Sequence, residues 1–381
     1  MSGFGMIGEY PNSDGIVARF SGTLESFDLS TEFILPGRGV TALFGRSGCG
    51  KTTVLRCLAG LSRMEQGFLS VKGRVWQDGE TFIPTYKRSV GFVFQEASLF
   101  THLSVKDNLI FGQRRVKSRD RISKLDEIVS LLGLEQLLSR SVHNLSGGER
   151  QRIAIGRALM SGPELLLMDE PLAALDKFSK DEIIPYLDRL FKKLDIPMIF
   201  VSHDTEEVER LADNIVLMDQ GKVVSSGPLS EVLSDPTLFI AQGPKTSSVI
   251  DVKVNFFSEE DRITEVLAEG GTLQIPGKLG DVGSTHRISI AANDVSLAKT
   301  KPSETTILNV LPVRILDIHL LDESRSNLLL SIGHQEDKSS AKFLARITQR
   351  SLRKFDFSIG EHVYAQIKSV SMVGGPHSKK S

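Results

Sequence analysis

The apolar residues of this chain fall into two patterns that change near residue 249. Through the first two thirds they form short continuous runs: Thr41-Ala42-Leu43-Phe44, Leu165 to Met168, Met198 to Val201 and Ile215 to Met218. Runs of this length without polar alternation predict strands covered on both faces, as in a parallel sheet flanked by helices. Between them lie helical stretches. Thr52 to Gly60 is one, and a second is expected from Ser123, a capping residue ahead of Leu125, Ile128, Val129 and Leu132, whose spacing approaches 3.6. A third runs from Glu149 to Met160 and a short one from about Leu229 to Leu233. After about Val249 the chain reads as β: Val310 to Leu316, Lys342 to Ile347 and His362 to Ile367, separated by polar turns.

This pattern divides the 381 residues into an α/β domain over 1–240, with a helical insertion at about 96–160. A linker and first β segment over 241–304, a β-rich domain over 305–373 and a disordered tail over 374–381 follow. Composition adds limits. Lys plus Arg (46) balances Asp plus Glu (47), which argues neither for nucleic acid nor for an anionic membrane surface, and no nucleic-acid partner is expected. Two cysteines, Cys49 and Cys57, make no disulfide framework and suit a reducing compartment. No basic start with an apolar run opens the chain, and no run approaches the ~18 apolar residues of a membrane helix.

Candidate chemistry sits where strands end. Gly45-Arg46-Ser47-Gly48-Cys49-Gly50-Lys51-Thr52-Thr53 lies between a predicted strand and a predicted helix. Its glycines let backbone N–H groups turn inward around phosphates, and the helix start adds its positive dipole end. Lys51 supplies a mobile ammonium, and the Thr52 hydroxyl is a Mg²⁺ ligand. Leu165 to Glu170 is a buried strand ending in two carboxylates: Asp169 can hold Mg²⁺ through water, and Glu170 can polarise an attacking water as general base. Cys49 inside the loop is either a point of sensitivity to thiol reagents or simply a small residue that fits there.

Leu145-Ser146-Gly147-Gly148-Glu149-Arg150-Gln151-Arg152 stands between these motifs. With all three in order, the chain resembles the ATP-binding subunits of ABC transporters over roughly residues 16 to 235. The resemblance implies a P-loop NTPase domain binding ATP and Mg²⁺, and a homodimer in which Ser146, Gly147 and Gly148 complete the partner's ATP site. It further implies that Gln95 senses Mg²⁺ and the attacking water, that Asp176 is the aspartate of the D-loop, and that His203 contacts the γ-phosphate. Phe20 and Phe27 are both candidates for stacking adenine, with Phe27 the better candidate for a core position.

Ser98-Leu99-Phe100-Thr101-His102-Leu103-Ser104-Val105 and the absence of fused membrane helices are similar to bacterial importers. Leu35 to Gly45, Ala292-Asn293-Asp294-Val295-Ser296-Leu297-Ala298 and Tyr364 to Ser371 resemble the molybdate subfamily and its OB-like (TOBE or Mop-like) carboxy-terminal domain. That implies an oxyanion site, with Thr306, Asn309, Lys368 and Ser369 as candidates, although Thr306-Ile307-Leu308-Asn309 lacks the arginine of the family's corresponding segment. The implied partners are a separate membrane permease and, indirectly, a periplasmic oxyanion-binding protein, with the chain on the cytoplasmic face of the inner membrane. An importer ATPase for sulfate, tungstate or a sugar remains open, as do a soluble ATPase of this class and a molybdate-responsive regulator.

Overall fold

The structure is a computed structural model that describes residues 14–24, 27–113, 125–333 and 340–373. The Ser123 cap and the 374–381 tail lie outside them. The chain divides into two units, Met1–Gly227 and Pro228–Ser381.

The first unit contains β1 (Ile16–Leu24), β2 (Phe27–Leu35), β3 (Gly39–Gly45), α1 (Lys51–Ala59), β4 (Gln66–Val71), β5 (Arg74–Gln77) and β6 (Val90–Val93). It continues through α2 (Val105–Gln113), α3 (Leu125–Leu132), α4 (Gly147–Leu159), β7 (Leu165–Met168), α5 (Lys177–Lys193), β8 (Pro197–Ser202), α6 (Thr205–Leu211), β9 (Asn214–Asp219) and β10 (Lys222–Pro228). The strands form one sheet in the order β5-β4-β1-β2-β10-β9-β3-β8-β7-β6. From β9 to β6 the pairs are parallel; β3, β7, β8 and β9 are buried, as their continuous apolar runs predict, while the edge strand β6 is half-buried. β1, β2, β4 and β5 pair antiparallel, an arrangement not expected from the sequence. β2 shows why, since its burial alternates residue by residue. α2 and α3 pack on α4, so the insertion is built around that helix. Ile128, Val129 and Leu132 form the buried stripe of α3. Gly60, at φ +76°, closes α1 in the left-handed conformation that glycine adopts readily.

The second unit begins earlier than the expected boundary at 240, because α7 (Leu229–Ser234) packs on strands of this unit. It comprises β11 (Ser247–Ser258), β12 (Ile263–Ala268), β13 (Gly271–Pro276), β14 (Thr285–Ala291), β15 (Val295–Ala298), β16 (Asn309–Leu320), β17 (Arg325–Ile332), β18 (Lys342–Thr348), α8 (Gln349–Phe355), β19 (His362–Ile367) and β20 (Ser371–Val373). Residues 241–304, expected as a linker and first β segment, hold β11 to β15. Two antiparallel sheets, β13-β12-β11-β14-β20 and β15-β19-β16-β17-β18, close on one apolar core that includes Val252, Val266, Ile288, Val313, Leu330 and Phe343. Arg346 fastens the entering segment. Its guanidinium donates to the carbonyls of Gly243 (2.7 Å) and Ala241 (2.8 Å), to the Thr246 hydroxyl (2.9 Å) and to Asn327 Oδ1 (2.9 Å).

Candidate functional site

The glycine loop joins β3 to α1, and its glycines are sterically required. A Cβ on Gly45 would collide with the Met218 carbonyl. Gly50 sits at φ +99°, and a Cβ there would lie 2.8 Å from the Phe27 ring. Ser47, Gly48, Gly50, Lys51, Thr52 and Thr53 line a cleft of about 640 Å³ together with Phe27, Arg56, Ser62 and Glu170. Lys51 is buried, and its Nζ donates to the carbonyls of Gly45 (2.8 Å) and Arg46 (2.9 Å), so the loop holds its own cation. Cys49 is buried too, and burial pushes its thiol pKa up, while the nearby Lys51 ammonium opposes the rise. A buried, raised thiol is poorly nucleophilic, which favours the reading of Cys49 as a small residue that fits the loop.

Phe20 is wholly buried in the sheet core, whereas Phe27 lines the cleft. This reverses the sequence expectation that Phe27 was the better candidate for the core.

Thr52 Oγ1 donates to Asp169 Oδ1 at 2.9 Å, bringing together two of the three residues expected at Mg²⁺, the third being Gln95. Burial raises the Asp169 pKa and the neighbouring Glu170 charge adds to the rise, against the pull of the Thr52 hydrogen bond. These hard oxygen donors fit Mg²⁺. Among the described residues no group of three or more His, Cys, Asp and Glu is placed to hold a metal ion. Glu170 occupies φ +44°, a left-handed conformation uncommon for a residue with a Cβ, and its carboxylate lies 3.4 Å from His203 Nδ1 just beyond β8.

The remaining candidates lie apart from the phosphate cleft. Gln95, just after β6, borders a second cleft of about 430 Å³ with Gly147, Arg150, Gln151 and Leu175. Ser146 caps α4 in a capping box: its hydroxyl accepts from the Glu149 N–H (3.2 Å) and its own N–H donates to the Glu149 carboxylate (2.7 Å). Gly147 packs on Leu175, and Gly148 lies by the Ser179 carbonyl. Asp176 caps α5 by accepting from the N–H (3.0 Å) and hydroxyl (3.1 Å) of Ser179, and these bonds hold its carboxyl below the usual range.

In the second unit Thr306, Asn309, Lys368 and Ser369 share a cleft of about 480 Å³ with Ile263, Gln274, Pro276 and Val370. Two of the four are already engaged. Asn309 Oδ1 accepts from the Gln274 N–H (2.7 Å) and its Nδ2 donates to the Gln274 carbonyl (2.9 Å), tying β16 to β13. The Ser369 hydroxyl donates to the Asp294 carboxylate. Lys368 and Thr306 are exposed to the cleft mouth.

Residues 30–173 match the ABC transporter family model and residues 305–373 the TOBE domain model. Fold and site together thus define the ATP-binding class of ABC transport subunits. The molybdenum import ATP-binding protein ModC of Rhodobacter capsulatus is 48% identical, over 94% of this chain and 98% of its own. The namesake from Hahella chejuensis is 45% identical over 95% and 99%. Among solved structures, cbiO1 from Clostridium perfringens, part of the ABC transporter complex cbiONQ, aligns with a TM-score of 0.51 at 28% identity, covering 58% of this chain and 90% of that one. The chain belongs to the family of molybdenum import ATP-binding proteins.

Proposed function

We propose that this chain hydrolyses Mg²⁺-ATP as a homodimeric, membrane-peripheral subunit that powers molybdate uptake through a separate permease. The observation that carries this reading is the convergence of Lys51, Thr52 and Glu170 in one cleft, with Asp169 bonded to Thr52 and His203 beside Glu170, in a chain whose relatives are named for molybdenum import. Among the described residues no helix is long and apolar enough to cross a membrane.

The loop from Gly45 to Thr53 binds the phosphates, with Lys51 exchanging its carbonyl bonds for phosphate oxygens. Thr52 and Asp169, with Gln95, would hold Mg²⁺, which when bound would supply positive charge against the phosphates. Glu170 takes the proton of the attacking water, and His203, beside it, contacts the γ-phosphate. Phe27 stacks the base. Ser146, Gly147, Gly148 and Asp176 serve the nucleotide of the second copy. In the second unit, Lys368 and Thr306 bind the tetrahedral oxyanion, while Asn309 and Ser369 shape the cleft.

Glu170→Gln should bind ATP normally and lose steady-state hydrolysis; normal hydrolysis would refute the base assignment. Loss of labelled molybdate uptake in a deletion strain tests the solute, and unchanged uptake overturns it. Calorimetric titration of the full chain with molybdate, compared with Lys368→Ala, tests the second cleft, and equal heats in both proteins remove Lys368 from it.

A further inference from the structure

The Gln95 loop is gripped by α4. Arg157, near the end of that helix, donates through Nη1 to the Ser98 carbonyl (3.0 Å) and through Nη2 to the Ala97 carbonyl (3.2 Å). Its guanidinium also lies 4.9 Å from the centre of the Phe100 ring. The gripped segment is not relaxed, because Ser98 stands at φ +43°. A planar fork spanning two successive carbonyls fixes both position and rotation of a loop, which a single donor cannot do.

A second donor on the same helix borders the same region. Gln151 lines the cleft with Gln95, is 4% exposed, and its amide nitrogen has no hydrogen-bond partner. A buried, unpaired N–H₂ costs free energy that a nearby acceptor would recover, so Gln151 favours any loop position that brings a carbonyl to it. α4 therefore presents one engaged fork and one unspent donor to the Gln95 loop.

The other end of α4 is the capping box at Ser146. From Ser146 to Arg157 the helix covers roughly 16 Å at 1.5 Å per residue, and its backbone bonding makes that span a stiff rod.

We propose that Arg157 is a positioning residue for Gln95, and that α4 couples Gln95 to the Ser146–Gly148 end that faces a second copy. The inference rests on the reading that the chain hydrolyses Mg²⁺-ATP as a dimer. When the second copy's nucleotide draws on the Ser146 end, α4 shifts the Ala97 and Ser98 carbonyls, and Gln95 moves with them. Each subunit's glutamine thereby responds to occupancy of its partner's site.

The test uses the purified full chain, with MgATP turnover and Mg²⁺-free binding of a fluorescent ATP analogue as separate readouts. Arg157→Met should lower kcat about 10- to 100-fold, the scale of a misplaced reacting group, with analogue affinity within about twofold of the parent. Arg157→Lys, which keeps the stem and charge and guards against a folding defect, should fall between the two. The decisive measurement is the cycle with Gln95→Ala: in that background Arg157→Met or Arg157→Lys should cost less than about twofold more, because the affected group is already gone. Full additivity, or a loss of analogue binding equal to the loss of kcat, overturns the positioning role. A parent chain with no MgATP turnover overturns the ATPase reading itself, and the two failures are thus distinct.

Discussion

Asn309→Ala separates a structural role from an anion-binding one. The Asn309 side chain satisfies both backbone groups of Gln274, bonding at 2.7 and 2.9 Å, and so joins the edge strand β13 to the other sheet. Alanine removes two hydrogen bonds worth about 1 kcal/mol each. Gln274 is half-buried, so water can reach part of what is left unpaired, and the loss should be about 2 kcal/mol. With a urea m-value of about 1.5 kcal/mol per molar, the second unit's midpoint should fall by about 1.3 M. One assay isolates the unit. The single tryptophan, Trp76, is buried in the first unit, so its fluorescence follows that unit, whereas circular dichroism follows both. The dichroism transition of the second unit should move and the tryptophan transition should not. A variant whose second-unit midpoint stays within about 0.3 M of the parent, yet which loses molybdate binding, would refute the structural assignment.

Asp169 predicts a pH dependence. Burial holds its folded pKa above the unfolded value of about 3.9, so the folded state keeps its proton more tightly and stability is lost as pH rises through that interval. Asp169→Asn should therefore raise the nucleotide-free melting temperature at neutral pH, with the gain vanishing below about pH 3, and should abolish the further rise caused by MgATP. An Asn variant that melts lower at neutral pH would contradict the sign. The Cys57 thiol, pushed by burial up to about 12, and the buried Cys49 should both resist Ellman's reagent near pH 8 until the chain is unfolded, when two thiols titrate. Mixing Lys51→Ala with Ser146→Arg chains, each inactive alone, should restore turnover to at most about a quarter of the parent's, since only mixed dimers hold one intact site. No recovery would count against a head-to-tail pair.

The parallel half of the first sheet was legible because strands covered on both faces leave unbroken apolar runs such as Leu165 to Met168. β1, β2, β4 and β5 were not, because alternating burial in β2 blends with the polar sequence around it. The phosphate loop and its carboxylates were legible because each lies at a strand end with its chemistry in contiguous residues. Phe27 and Phe20 could be told apart only by three-dimensional placement, since both flank the same hairpin. The fates of Asn309 and Ser369 depended on partners 35 and 75 residues away in sequence. Arg157 gave no signal, because its contacts are main-chain carbonyls that any sequence supplies.

Lys51 bound to the carbonyls of Gly45 and Arg46 has a consequence for selectivity. An anion entering the loop competes with two good hydrogen bonds to a buried ammonium, not with water alone. An anion that meets only the lysine has to replace both of those bonds by itself. A triphosphate can do so, because its other phosphates engage the loop amides while the terminal one recruits the lysine. The resting loop thus favours a polyphosphate over a single small anion through the number of contacts each can offer.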